Sequence, residues 1–364
     1  MPIPGFLDFP PFAVECLVMY EFLLGLRGRV FGHECSLNEK NSTTESVGTD
    51  PFVGHRWLWN CEDRLGGREG RRSGNQEIAV CGMNELMDGD FDPAMEIFRQ
   101  IQKSDPESPL GYLLEADANW WKIHLTEANL IDPEGFEPLS AAATSYDGDF
   151  RRLDELAIRK AETRLHAHQD EARSYCYEGL AYGLRARLEA LRYHPLATAL
   201  AGKKCRNLSL AALKLDPNLN DAYFGVGLYN YFVDTLPTYV KMLRFLVLLP
   251  GGDRLVGLRQ IQQAMEKGQL VTSEAKFHLA QNYSRSMDRQ FARSLELLRQ
   301  MEQQYPHNPL WKLLAGSVEL RMGHVKEGET LYRQVIDETA HPPSEIWKPL
   351  HQQAERALAR RSGH

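Results

Sequence analysis

Histidine is the residue type whose spacing in this chain comes nearest to a metal site. His166 and His168 form an H-x-H pair, but positions two apart on a helix point in different directions, so we expect both side chains on the solvated surface. His194 precedes Pro195 and is expected where a helix ends, whereas His278 is expected in the core or in a groove. These histidines therefore predict no metal site.

Motifs for catalysis are missing from the sequence as well. It contains no P-loop, no G-x-S-x-G and no H-E-x-x-H. We therefore predict that the protein is not an enzyme and has no catalytic residue and no cofactor. Trp120 and Trp121 are expected to pack between helices rather than to stack on a ligand, with one of the two facing outward.

A glycine-rich turn offers the remaining local chemistry. Gly251, Gly252 and Asp253 precede an amphipathic stretch, and the carboxylate of Asp253 is expected to accept hydrogen bonds from the first free amides of a helix. An anion-binding nest made by the two glycines is the alternative, and it would require Asp253 to turn away.

Helices of 12–16 residues must position these groups, because the sequence from residue 76 onward shows helical periodicity broken by prolines. Pro306 and Pro342 are 36 residues apart, and so are the small residues Ala280 and Gly316. This period is typical of a repeated helical hairpin.

Small and aromatic residues fall where the tetratricopeptide motif places them. Small residues let paired helices approach closely, and aromatic residues fill the space around them. The matches in successive units are Gly82, Gly89, Ala94, Phe98 and Pro106; Tyr175, Gly179 and Tyr182; Tyr223, Gly227, Gly257 and Ala264; Ala280, Tyr283 and Ala292; and Gly316, Gly323, Gly328 and Tyr332. The chain thus resembles tetratricopeptide-repeat proteins, which implies an all-α solenoid of helical hairpins wound into a right-handed superhelix.

The predicted organisation has three parts. Residues 1–75 lack sustained periodicity and are expected to be disordered or to be an N-terminal extension assigned in error. Residues 76–342 form the repeat array, with an apolar helical insertion at about residues 234–252. Residues 343–364 supply a helix that caps the open end, followed by a tail.

Stacked first helices line the concave groove of such an array, and this groove is the predicted site for a partner. A helical or extended protein segment with apolar anchors fits the mixed lining. The lining also includes Leu313, Ser317 and Leu320, and the residues expected to contact the partner are Arg173, Phe224, Tyr231, Phe277, Gln281 and Arg285.

The string PGGDRLVGL, with GLYNYF before it, resembles bacterial relatives of the tetratricopeptide-repeat 39 and Iml-type outer-membrane family. The resemblance covers about residues 172–340 and implies a scaffold or adaptor, in some members associated with membranes or lipid bodies. The alternative function is therefore membrane or lipid contact through the inserted helix, with Leu243, Leu246 and Leu248 as the contact residues.

Composition limits the partner and the compartment. Hydrophobic residues make up 43% and charged residues 25% of the chain, which is typical of a soluble folded protein. The net charge of -7 argues against nucleic acid as a partner. Six cysteines without C-x-x-C spacing fit a reducing compartment, so we expect a cytoplasmic protein, with membrane-peripheral or exported placement left open.

Overall fold

The computed structural model describes residues 68–134, 142–236, 241, 248–340 and 345–362, all within the unit Gly66–His364. The described residues are all-helical, with thirteen long helices and no β-strand. The helices are α1 Arg68–Asp88, α2 Phe91–Ser104, α3 Leu110–Glu127, α4 Tyr146–His166, α5 Glu171–Leu191, α6 Pro195–Leu215, α7 Ala222–Thr235, α8 Arg254–Lys267, α9 Thr272–Ser284, α10 Phe291–Gln304, α11 Leu310–Met322, α12 Val325–Thr339 and α13 Lys348–Ser362.

Local chemistry fixes where several of these helices begin and end. Pro195 occupies the first turn of α6, where its missing amide hydrogen costs nothing. α11 ends at Gly323, which adopts the left-handed conformation (φ 88°) that glycine reaches without strain. α1 begins at Arg68, earlier than the start predicted at residue 76, and the rest of the predicted disordered part, residues 1–67, lies outside the described residues.

Each described helix packs against the next described helix, and glycines set how closely α7 and α8 approach. A Cβ atom on Gly257 would lie 2.6 Å from the backbone nitrogen of Tyr231, and one on Gly227 would lie 2.9 Å from the carbonyl oxygen of Gly257. The backbones of α7 and α8 therefore touch at this point. The predicted role of small residues in helix pairing is confirmed here.

Residues just before α11 and α13 contact α1 and α2. Trp347, just before α13, lies against Phe91 with ring centroids 6.0 Å apart, and the Asn308 side chain donates a hydrogen bond of 2.8 Å to the carbonyl oxygen of Met87. α13 packs against α3, α11 and α12. The C-terminal helix exists as predicted, and besides α11 and α12, which precede it in the chain, it contacts the distant helix α3.

α3 lies at the centre of the described structure. It packs against α1, α2, α4, α5 and α13, and its aromatic side chains contact rings from α9 and α11. Fourteen of its residues are buried, because neighbouring helices surround it on every side. No described helix is long and apolar enough to cross a membrane.

Candidate functional site

Most of the predicted groove residues are buried inside the protein. Phe224, Tyr231 and Phe277 are 1%, 0% and 2% exposed, so a partner cannot reach their side chains in this conformation. Gln281 and Arg285 are half-buried and lie near each other on and just after α9. Arg173 is placed elsewhere, at the start of α5, where it pairs with Asp170 at 3.6 Å.

α3 covers the buried part of this predicted groove. The ring of Trp121 lies 5.0 Å from that of Phe277 and 6.3 Å from that of Trp311, and Trp120 stacks on His124 at 4.7 Å. The expectation that one tryptophan faces outward was wrong, since Trp120 and Trp121 are 4% and 2% exposed. A helix packed on all sides has no outer face.

Charged side chains in this interior connect α3, α5 and α9. Arg187 donates a hydrogen bond of 2.6 Å to Glu274 and lies over the Trp120 ring at 4.4 Å. Burial, followed by the nearby charge of Glu274, raises the pKa of Asp117 well above its usual range. Burial also lowers the pKa of His124 to about 3, so this imidazole is neutral at pH 7. The cluster holds three helices together.

A short non-helical segment after α3 occupies the remaining, accessible part of the predicted groove. We call residues Ala128–Glu134 the inner segment and the surface beneath it, formed by α9, the turn after α9, α11 and α13, the receiving groove. Ala128 adopts extended backbone geometry (φ -81°, ψ 146°). Leu130 is 2% exposed, and Ile131 is half-buried.

Side chains of the receiving groove hydrogen-bond to the main chain of the inner segment. The Gln353 amide accepts a bond of 2.9 Å from the Leu130 amide and donates one of 3.2 Å to the Ala128 carbonyl oxygen. The hydroxyl of Ser317 donates a bond of 2.8 Å to the Ile131 carbonyl oxygen. Main-chain atoms are common to every sequence, so these bonds recognise the backbone rather than a particular side chain.

The far end of the inner segment is held through its charge. The Glu134 carboxylate accepts hydrogen bonds from Arg321 at 2.8 Å and from the Ser286 hydroxyl at 2.7 Å, while Arg285 donates to the Glu134 carbonyl oxygen at 3.1 Å. Burial raises the pKa of Glu134, but the hydrogen bonds from Ser286 and Arg321 outweigh burial and leave its pKa below the usual value. The site therefore favours a carboxylate.

A small cavity remains beneath the inner segment. Leu130, Ile131 and Pro133 form one side of it, and its other side includes Gln281 and Leu314. The aliphatic side chains of the segment thus leave part of the apolar floor unfilled.

The glycine-rich turn is a helix start, as predicted, rather than an anion nest. The Asp253 side chain accepts a hydrogen bond of 2.9 Å from the Val256 amide and caps α8. A Cβ atom on Gly252 would lie 2.4 Å from the carbonyl oxygen of Asn230, so this position allows close packing against α7. Arg254 then pairs with Asp288, which also accepts a hydrogen bond of 2.7 Å from Tyr231.

The residues proposed for lipid contact are only partly described. Leu243 and Leu246 lie outside the described residues. Leu248, predicted within the apolar helix, lies in a turn with φ 51°, and it is 76% exposed. The H-x-H pair is on the surface as expected, and His278 is buried in the core.

Sequence reasoning missed one group of metal-ligand types. Asp88, Asp90 and His307 each offer one ligand atom, and these atoms lie within 4.8 Å of one another. This is the one such group found among the described residues. The imidazole of His307 already bonds to Asp88 at 2.7 Å, so an ion pair accounts for the arrangement. The inner segment was also missed, although an aliphatic Leu-Ile pair in a Pro- and Gly-rich loop is a signal of a buried loop.

No protein-family model matches the chain, and no curated protein matches it significantly. The resemblance to tetratricopeptide repeats and to the tetratricopeptide-repeat 39 family therefore stays a prediction.

Proposed function

We propose that this chain is a non-catalytic scaffold of tetratricopeptide-type helical hairpins that binds an extended protein segment in its receiving groove. The observation that supports this proposal most strongly is that the groove already holds non-helical polypeptide, its own inner segment, through side-chain bonds to main-chain atoms. Grooves that bind peptides use this kind of bond for affinity and use pockets for specificity.

The position of these contacts supports the same function. Ser317, Gln281 and Arg285 stand at or beside the positions that line the concave side of tetratricopeptide arrays. All three contact the inner segment or the cavity beneath it. The buried residues Phe224 and Phe277 form the core behind this surface.

Capture from a native lysate tests the proposal with three versions of the full chain. The first is wild type, and the second is a release variant, Ile131→Gly with Glu134→Ala, which loses the apolar contact and the carboxylate of the inner segment. The third adds Arg321→Glu to the release variant and so damages the groove. We expect the release variant to capture a protein that the third version does not.

A matched control separates the groove from general surface charge. The release variant carrying Arg333→Glu places the same charge change on exposed α12, where Arg333 pairs with Glu329. This control should capture the same protein as the release variant. Identical captured sets from all versions, with folding verified by circular dichroism, would contradict a groove-binding scaffold.

Contact with a lipid surface is the second candidate, favoured by two exposed leucines on either side of the glycine-rich turn. Leu248 and Leu255 are 76% and 55% exposed. Exposed aliphatic side chains add affinity for a membrane interface. If this function holds, the full chain sediments with vesicles of phosphatidylcholine and phosphatidylglycerol, and Leu248→Asp with Leu255→Asp abolishes sedimentation. A chain that stays in the supernatant excludes it.

A further inference from the structure

The inner segment shows which kind of partner the receiving groove fits. We infer that the groove selects a non-helical segment with two adjacent aliphatic residues and an acidic residue three positions after the second, and that the chain's own inner segment competes for this site. This inference rests on the proposed function and deepens it.

The aliphatic requirement comes from the floor of the groove. Leu130 is almost fully buried, and Ile131 lies beside it over a cavity whose lining includes Leu298, Leu314 and Val318. A polar residue at either position would lose its hydration without a hydrogen-bond partner of matched geometry.

The acidic requirement comes from the mouth of the groove. Arg321 and the Ser286 hydroxyl donate to the Glu134 carboxylate, and Arg285 beside them donates to the Glu134 main-chain carbonyl oxygen. Charge-assisted hydrogen bonds are stronger than neutral ones, and a lysine here would face two guanidinium groups. We call Ser286 and Arg321, which both contact the carboxylate, the clamp. The clamp therefore selects an acidic residue over a basic one at this position of the bound segment.

The spacing between these two requirements is fixed by main-chain bonds. Hydrogen bonds at Ala128, Leu130, Ile131 and Glu134 fix the path of the intervening backbone, which bends instead of continuing the helix. Pro133 supports this geometry, because the residue before a proline is disfavoured in helical conformation. A segment with the acid one residue nearer or farther would lose either the clamp or the aliphatic contacts.

The inner segment competes with a partner for the groove because it belongs to the same chain. The inner segment leaves directly from the end of α3, so its local concentration at the groove is on the order of millimolar. If the inner segment itself has a dissociation constant of about 10 μM for the open groove, a partner would bind wild type about 100-fold more weakly than the open groove. Removal of the inner-segment contacts should therefore expose the site.

Fluorescence anisotropy with a labelled peptide of the sequence EANLIDPE, residues 127–134, tests this inference on the full chain. We expect the peptide to bind the release variant Ile131→Gly, Glu134→Ala and to bind wild type at least about tenfold more weakly. Adding Arg321→Glu to the release variant should abolish binding. A second peptide, EANLIDPK, should fail to bind any version.

Two results would overturn the inference. One is the absence of peptide binding to a release variant whose inner-segment amides exchange with solvent faster than in wild type, which shows that the groove is open. The other is equal binding of EANLIDPE and EANLIDPK. If lysate capture still depends on Arg321 in either case, the proposed function stands and only the partner motif fails.

Discussion

The hydroxyl of Ser317 on α11 donates a hydrogen bond of 2.8 Å to the main-chain carbonyl oxygen of Ile131, a residue 186 positions earlier in the chain. This bond joins a position that the repeat pattern assigns to the groove with a loop that the pattern does not describe. It is the contact that would be made by a partner's backbone, and here the protein's own chain makes it. The predictions below test this arrangement and the fold that supports it.

The clamp on Glu134 predicts an acid-sensitive contribution to stability. Because its folded-state pKa is lowered, the contribution is present above the ordinary value of 4.5 and is lost as the pH falls through the folded pKa. The side chain is 40% exposed, so solvent screening limits the gain at pH 7 to about 0.5–1 kcal/mol. Glu134→Gln should reduce the free energy of unfolding at pH 7 by that amount and by much less at pH 3, measured by urea denaturation.

Glu338→Gln, which alters an exposed pair with Lys312 on another surface, is the control for the Glu134 experiment. If the free energy of unfolding of wild type exceeds that of Glu134→Gln by the same amount at pH 7 and at pH 3, the carboxylate is not held by its charge.

Close approach of α7 and α8 predicts opposite effects for two glycine substitutions. Gly257→Ala should destabilise the protein by about 1–3 kcal/mol, because its Cβ atom would meet backbone atoms of Tyr231 and Gly227. Gly148→Ala, on the exposed side of α4 with open space around it, should stabilise by about 0.5–1 kcal/mol. Thermal and urea denaturation measure both, and a neutral Gly257→Ala would show that the two helices are farther apart than described.

The buried pair of Arg187 and Glu274 predicts a non-additive result. Arg187→Leu alone should cost about 3–5 kcal/mol, since it leaves an uncompensated carboxylate in the interior. The double variant Arg187→Leu, Glu274→Leu should be more stable than that single variant. Denaturation of the four members of this cycle gives the coupling energy, and strict additivity would show that the two groups do not interact.

The ion pair between Asp88 in α1 and His307 in the turn before α11 predicts a contribution to stability that is lost at high pH, whereas that of Glu134 is lost at low pH. The hydrogen bond to Asp88 and the charge of that carboxylate raise the pKa of His307. Its contribution is therefore full below the unfolded value near 6.5 and is lost as the pH rises through the folded pKa. His307→Gln should lower the melting temperature at pH 6 and have no effect at pH 9, and an equal loss at both values would contradict the ion pair.

Much of the fold was predictable from local signals. Proline breaks and helical periodicity indicated the helices, the small residues Gly227 and Gly257 indicated a close helix pair, and Asp253 was recognisable as a cap. These features depend on residues near one another in sequence or on one repeated unit.

The filling of the groove was not predicted, because it depends on contacts between distant residues. α3 is buried around its circumference although it carries Glu115, Asn119 and Lys122 on one face, and the sequence does not say what surrounds it. The hydrogen bond between the Leu130 amide and the Gln353 side chain joins residues 223 positions apart. The groove residue Ser317 was predicted, whereas the clamp residues Ser286 and Arg321 were not.

Amide hydrogen exchange of the wild-type chain, followed at the Leu130 amide at several low urea concentrations, tests most directly whether the inner segment is a separable occupant. Our account predicts that this amide, bonded to Gln353 at 2.9 Å, exchanges through local opening, with a lower free energy and a smaller urea dependence than amides in the middle of α9 and α11. Exchange with the same free energy and urea dependence as those helices would show that the segment leaves its groove only when the protein unfolds, and would contradict the account.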